Sequence, residues 1–271
     1  MPEGHTLHRL ATELDRLFAG DRVTSSSPQG RFASGAARLD GRVLVHAEAW
    51  GKHVLMTFAG LEERVHVHLG LFGGWMLLPG ADHPVVGQVR WRLESARATA
   101  DLRGPTACEL LDPEAVDTLL ARIGPDPLRD DGDPEQSWQL IRTSRAPIAT
   151  LLMDQRVIAG VGNVYRAEVL FRHRLDPDLP GHDLDAGTWA AVWSDLVGLM
   201  RTGVRTGRID TVHTEHEPEA MGREPRVDNH GGEVYVYRRE GQPCLVCDTP
   251  VLRRVLAGRN LYWCPSCQQR G

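Results

Sequence analysis

Four of the five cysteines fall in the last 28 residues, as Cys244-x2-Cys247-x16-Cys264-x2-Cys267. Each C-x2-C knuckle offers two thiolates, and a hairpin between the knuckles brings the pairs together as a tetrahedral four-sulfur set, the pattern of a zinc site. Four thiolates fill the metal's coordination sphere, so the expected Zn2+ is structural and catalysis must lie elsewhere. Two disulfides are the alternative, disfavoured because no secretory signal is present and the cytosol is reducing. Cys108 stands alone and reads as a small buried hydrophobe. Between the knuckles, Arg259 precedes Tyr262 and Trp263 near the expected hairpin tip, a placement suited to nucleic-acid phosphate or a groove.

The N-terminus offers a nucleophile. A proline after Met1 permits removal of that methionine, which would make Pro2 a secondary amine able to form an iminium ion with an electrophilic carbon. An α-amino value of about 7.7–8.0 leaves a useful neutral fraction at physiological pH. The adjacent Glu3 could shuttle protons. An arbitrary Met-Pro-Glu start is the plain alternative. Among 31 basic residues, Lys52 is the one lysine. Lysine shifts its pKa readily and acts in catalysis, whereas arginine stays charged, so Lys52 is a candidate beside the alternative of a surface survivor. Gly160-Val161-Gly162-Asn163 leads into a helix beginning at Asn163 or Val164. Free N–H groups at such a helix start bind anions, while Asn163 also suits a simple N-cap. His66 and His68 alternate on one strand face without a clear carboxylate partner, which makes a metal-dependent nuclease the weaker reading.

These groups need elements to hold them. Leu7, Leu10, Ala11, Leu14, Leu17 and Phe18 recur at steps of three and four before Gly20, which predicts an amphipathic helix. Short runs at residues 42–46, 53–58, 64–68 and 88–93, most of them separated by glycine-containing turns, predict a β-sandwich or barrel with Gly51-Lys52 on an early strand. Two prolines and an Asp/Gly cluster after Ile123 mark a linker. Beyond it the period is helical to about Val204, followed by a turn-rich stretch, a β-prone run at residues 234–237 and the cysteine cluster. The predicted class is multidomain α+β.

Net charge is −5, which alone argues weakly against a nucleic-acid partner. Its distribution reverses the argument: residues 109–135 carry nine acids against Arg122 and Arg129, so the rest of the chain is slightly basic, with arginine-rich patches at 156–174 and 237–271. A solvated face would explain either patch taken singly. No window of 18 apolar residues exists and no basic, apolar leader opens the chain, so a cytoplasmic protein is expected.

Taken in order, Pro2-Glu3-Gly4, Gly51-Lys52, Gly160-Val161-Gly162-Asn163, Tyr237 seven residues before Cys244, and the four-cysteine finger with Arg259 resemble the formamidopyrimidine-DNA glycosylase and endonuclease VIII family nearly end to end. The resemblance implies a catalytic β-sandwich domain at residues 2–122, a linker at 123–135, a helix–two-turns–helix DNA-binding domain at 136–232 and a zinc finger at 233–271. It implies base excision repair on damaged double-stranded DNA by a monomeric glycosylase and abasic-site lyase. Pro2 is similar to the nucleophile that attacks C1′, Glu3 to the acid–base residue, and Lys52 to the lysine at the lesion. Asn163, Tyr237 and Arg259 match phosphate-binding positions, with Arg259 counted among the catalytic set as well. Leu71 and Phe72 resemble the wedge that fills the emptied stack, and Arg103 matches a loop residue facing the opposite base. Leu71 could equally be a core leucine.

Two positions depart from the family pattern. Thr6 stands where many members carry a second glutamate, and Pro105 where the oxidised-purine branch has Phe. With Leu71-Phe72, Pro105 points to the endonuclease VIII branch, oxidised pyrimidines and β,δ-elimination. The alternatives are oxidised-purine excision within the same family or a non-catalytic zinc-ribbon nucleic-acid-binding protein.

Overall fold

Helix α1 (Gly4–Phe18) turns its apolar stripe inward, burying Leu7, Ala11, Leu14 and Phe18. Ala19 leaves the helix in extended conformation, and Gly20 follows at φ +83°, a region glycine enters without a Cβ penalty. The computed structural model describes residues 2–227 and 232–269. The expected loss of Met1, part of the 208–232 segment and the end of the finger at 270–271 therefore lie outside the described residues. Met1–Arg122 forms one compact unit and Ile123–Gly271 a second.

In the first unit α1 is followed by β1 (Thr24–Ser26), α2 (Ala33–Leu39), β2 (Leu44–Trp50), β3 (His53–Phe58) and β4 (Arg64–His68). Then come β5 (Gly74–Pro79), β6 (Val89–Glu94), β7 (Ala98–Arg103), β8 (Ala107–Leu111) and α3 (Pro113–Leu120). They build two antiparallel four-stranded sheets, ordered β1-β6-β7-β5 and β2-β3-β4-β8. Val54, Met56, Val65 and Val67 of one sheet share a core with Trp91, Leu93, Ala100 and Leu102 of the other, which makes the sandwich. Because side chains alternate along a strand, His53, His66, His68 and Glu109 take the opposite face of the second sheet.

Two sequence expectations need correction here. The run at 42–46 overlaps a strand that begins at Leu44 and continues to Trp50, in which Ala47 and Ala49 point inward and are buried. Alanines carry too weak an apolar signal to extend the run by inspection. Gly51-Lys52 is not on a strand: Trp50 pairs with His53, so these two residues form the hairpin turn, with Gly51 at φ +56°. A two-residue loop with glycine first is a favoured hairpin connection.

The second unit contains α4 (Pro134–Ile141), α5 (Ile148–Leu151), α6 (Asn163–Arg172), α7 (Ala186–Thr206), α8 (Pro218–Met221) and the hairpin β9 (Leu252–Leu256) and β10 (Arg259–Trp263). Asp185 caps α7 by accepting from the Thr188 N–H at 2.9 Å, and Gly207 ends it at φ +74°. Helical residues such as Tyr165, Leu170 and Leu196 pack in one core with Tyr235, Val251, Leu261 and Cys264, so helices and finger are not separately cored. The β-prone run at 234–237 is not a strand. Its consecutive N–H groups turn onto one buried carboxylate instead of alternating across a ladder.

Candidate functional site

The cysteine sulfurs meet as expected from their spacing. All four Sγ atoms lie within 4.8 Å of one another, with Cys247–Cys264 at 3.5 Å, Cys247–Cys267 at 3.4 Å and Cys244–Cys267 at 3.9 Å. Four sulfurs at about 2.3 Å from one zinc ion would stand roughly 3.8 Å apart, so the donor set fits a single tetrahedral zinc. Backbone N–H groups of Val246 and Cys267 point at Cys244 and Cys264 Sγ, at 3.5 and 3.4 Å. Such donors favour the thiolate form a metal requires. Among the described residues this is the one group of three or more such ligands placed to hold a metal ion.

The same finger is tied to the start of α6. Gly162, not Asn163, is the N-cap, which corrects the N-cap reading: Asn163 is already helical. Its Nδ2 donates to the Asn260 carbonyl at 2.9 Å, and its Oδ1 accepts from the buried Arg166 guanidinium. Arg166 donates to the same Asn260 oxygen at 2.9 Å. Asn260 follows Arg259, which opens β10 on the solvent-exposed side of the finger, just past the Ala257-Gly258 tip. Asn163 and the strand bearing Arg259 are thus brought together. Tyr237 is buried, its ring 5.4 Å from Tyr262 in a T-shaped contact and 5.5 Å from the Arg238 guanidinium.

Sequence reasoning missed Glu168. Fully buried on α6, it accepts from the backbone N–H of Tyr235 at 2.6 Å, Val236 at 2.9 Å and Tyr237 at 2.8 Å, and from the Thr211 hydroxyl at 2.6 Å. The available signal was an acid amid the apolar residues of α6.

In the first unit Pro2 precedes Glu3, the N-cap of α1, whose side chain is fully buried. Nearby His5 is pushed down to about 4, chiefly by burial. Leu71 and Phe72 are 54% and 93% exposed, which removes the core-leucine alternative. Their loop is closed by the Gly73 N–H bonding the Leu69 carbonyl at 3.0 Å. At Gly70 a Cβ would stand 1.9 Å from Thr106 Oγ1, so only glycine lets this loop lie against the turn after Arg103. Arg103 itself pairs with Gly74 in the ladder and bonds Asp101 at 3.3 Å. The buried Asp101 is held chiefly by Arg92, through contacts of 2.7 and 2.9 Å. The wedge candidates and Arg103 are therefore neighbours. Cys108 packs against the core, and burial pushes its thiol up to about 12, which keeps it protonated.

The histidine reading also needs correction, because His66 does have a carboxylate partner. Its Nδ1 lies 3.0 Å from Glu109 Oε1 across the β4–β8 ladder, and its Nε2 lies 2.8 Å from His53 Nδ1. His53 stacks on His66 and lies 4.8 Å from the His68 ring. Burial first, then the charges of His66, His68 and Lys52, push His53 down to about 3. The partner lies 43 positions along the chain, out of reach of local pattern reading.

Compared with known proteins, residues 1–108 match the formamidopyrimidine-DNA glycosylase N-terminal domain, 123–215 the formamidopyrimidine-DNA glycosylase H2TH domain, and 241–270 a zinc finger found in FPG and IleRS. A Mycobacterium tuberculosis protein named Endonuclease 8 1 is 50% identical, over 99% of this chain and all of that relative. An Escherichia coli Endonuclease 8 is 30% identical over the same shares. The fold is that of Lactococcus lactis Fpg, solved with DNA containing an abasic site, at a TM-score of 0.80 and 21% identity over 99% of this chain and all of that one.

Proposed function

The chain belongs to the formamidopyrimidine-DNA glycosylase family, and from that premise we propose that it excises oxidised pyrimidines from damaged duplex DNA through an N-terminal proline. It is a base-excision-repair glycosylase and abasic-site lyase with one structural zinc, held by Cys244, Cys247, Cys264 and Cys267. The ion supplies cross-linking of the finger, not reaction chemistry.

In the proposed reaction the target nucleotide leaves the stack, at a cost of a few kcal/mol that is least for a damaged base. Leu71 and Phe72 would fill the gap. The Pro2 amine attacks C1′ and the C1′–base bond breaks with its electron pair leaving on the base. The nitrogen then gives up its proton, and the C1′–O4′ bond breaks with its electron pair leaving on O4′ as the nitrogen lone pair forms the C=N bond of an iminium ion. Pro2 sits beside the N-terminus of α1, next to the buried Glu3. Glu3 would move the protons that ring opening and β,δ-elimination require. Lys52 would meet the lesion. Asn163, Tyr237 and Arg259 would contact the flanking phosphates: the Asn163 amide carries two donor hydrogens, and the bond to Asn260 uses one. A monomer suffices for this scheme. A cytoplasmic, nucleoid-associated location belongs to the same proposal; among the described residues no helix is long and apolar enough to cross a membrane.

The observation that carries the pyrimidine branch is the exposed Leu71-Phe72 pair beside a turn with Pro105 in place of an aromatic residue, in a chain half identical to an Endonuclease 8 relative. Parallel single-turnover excision from duplexes with thymine glycol or 8-oxoguanine tests it: thymine glycol should react faster, and an advantage for 8-oxoguanine would sink the branch. Borohydride should trap the enzyme on DNA through Pro2. Pro2→Gly, which keeps an N-terminal amine, should reduce both excision and trapping, and unchanged trapping with Met1 retained would exclude Pro2 as the nucleophile.

A further inference from the structure

The outer face of the β2-β3-β4-β8 sheet carries a polar chain that the reaction scheme does not use. Glu109 faces His66 across one ladder and His53 faces His68 across the next. The contacts run from Glu109 Oε1 to His66 Nδ1 at 3.0 Å and from His66 Nε2 to His53 Nδ1 at 2.8 Å. A carboxylate at neutral pH only accepts, so His66 Nδ1 carries the hydrogen. With its hydrogen on Nδ1 alone, His66 offers a bare Nε2 to His53 Nδ1, which then carries the hydrogen of His53. The lone pair of His53 is left on Nε2. His66 is 5% exposed with both nitrogens engaged, so it has no room to reorient.

His53 is also the first residue after the Gly51-Lys52 turn, and the Lys52 charge reaches both His53 and His68. His68 has the opposite polarity: its Nδ1 accepts from the Gly70 N–H at 3.1 Å, at the root of the Leu71-Phe72 loop. Other charged groups around the chain include the Glu48–Arg64 pair on the same sheet, Arg90 near Cys108 and, around a cavity of about 430 Å³ at the Glu109 end, Asp112, Glu114 and Arg122.

We propose that Glu109, His66 and His53 form a tautomer-fixing relay that presents the bare Nε2 of His53 to the Lys52 ammonium, making His53 a positioning residue for that lysine. The proposal rests on the reading that Lys52 acts at the lesion. With its hydrogen on Nδ1, His53 accepts from the ammonium and steers it. With the hydrogen on Nε2, or with both nitrogens protonated, it repels the ammonium. Burial holds His53 down to about 3, which keeps the accepting form across the neutral range.

The test is single-turnover excision by the full-length protein, with DNA affinity and thermal melting measured alongside. His53→Leu should slow excision about tenfold with DNA affinity nearly unchanged, and the same change in a Lys52→Ala background should slow it no further, since residues acting through one another are non-additive. His53→Gln, which can still accept, should recover part of the rate. Should His53→Leu unfold, Glu109→Leu, which removes the acceptor for His66 Nδ1–H, carries the same comparison from the half-exposed end of the relay. Imidazole 15N shifts give a readout independent of activity: neutral rings with hydrogen on Nδ1 are expected for both His53 and His66. Equal slowing in both backgrounds, or an Nε2–H tautomer on His53, would overturn the relay. Wild-type excision by His53→Leu beside slow Lys52→Ala would overturn the relay alone. Wild-type excision by Lys52→Ala would overturn its premise.

Discussion

Each unit carries a carboxylate-centred network, and the two are built differently. In Ile123–Gly271, Glu168 is fully enclosed, and its two oxygens together receive four hydrogen bonds. In Met1–Arg122, Glu109 is half-exposed, and its network is a single file of imidazoles with an acceptor left over at the far end. A closed network stores rigidity, because every donor depends on one anion. An open-ended one leaves a group for chemistry.

The zinc site sets the upper end of what tertiary cross-links do in the second unit. Structural zinc supplies roughly 10–16 kcal/mol in finger peptides near pH 7. Cys264→Ser should therefore lose metal by elemental analysis and lose DNA affinity, while hydrogen exchange in the sandwich of the first unit stays unchanged. Undiminished binding to damaged DNA would show that the finger is not a DNA-binding element.

Glu168→Ala breaks the closed network directly. It strands four donors, each lost partner costing about 1–3 kcal/mol, so a loss near 4 kcal/mol is expected. At about 2–4 °C per kcal/mol for a unit of this size, the second melting transition should fall by roughly 10 °C. Glu109→Leu, at a half-exposed site, should shift melting by about 1 kcal/mol or less and act on rate instead. Equal melting shifts for the two variants would erase the contrast.

Acid separates the units in a further way. Burial holds His53 down to about 3 and His5 down to about 4 in the folded protein, against about 6.5 for a histidine in water. The unfolded chain therefore binds more protons between those values, and the first unit loses stability as pH falls below about 6.5. Asp195 in the second unit, although burial pushes it up, is held down to about 2 by His173 and Arg172. Its contribution is full above its unfolded value near 3.8 and disappears only as pH drops toward 2. Hydrogen exchange at pH 5 should show the sandwich opening first, and replacing His53 by Leu should flatten that slope.

The smallest expected effect belongs to an exposed cation. Arg259→Ala should reduce the salt slope of DNA binding by about one unit, since each neutralised phosphate contributes about −0.9. An unaltered slope would remove Arg259 from the phosphate contacts.

What the sequence determined by itself was local and periodic. The stripe of α1, the strands at 53–58 and 64–68, and the four-cysteine spacing follow from steps of three and four, from alternation, and from knuckles only four residues long. The ordered motifs also carried the family. Tertiary structure alone decided which polar groups meet. It bends 235–237 onto Glu168 from 67 to 69 positions away, where β propensity suggested a strand, and it aims Asn163 at a carbonyl 97 positions along the chain. It also gives His66 the Glu109 that alternation on one strand could not reveal. Propensity and period report what a residue prefers beside its chain neighbours. A buried hydrogen bond depends instead on which distant donor is left without water when the core closes, and that is set by packing.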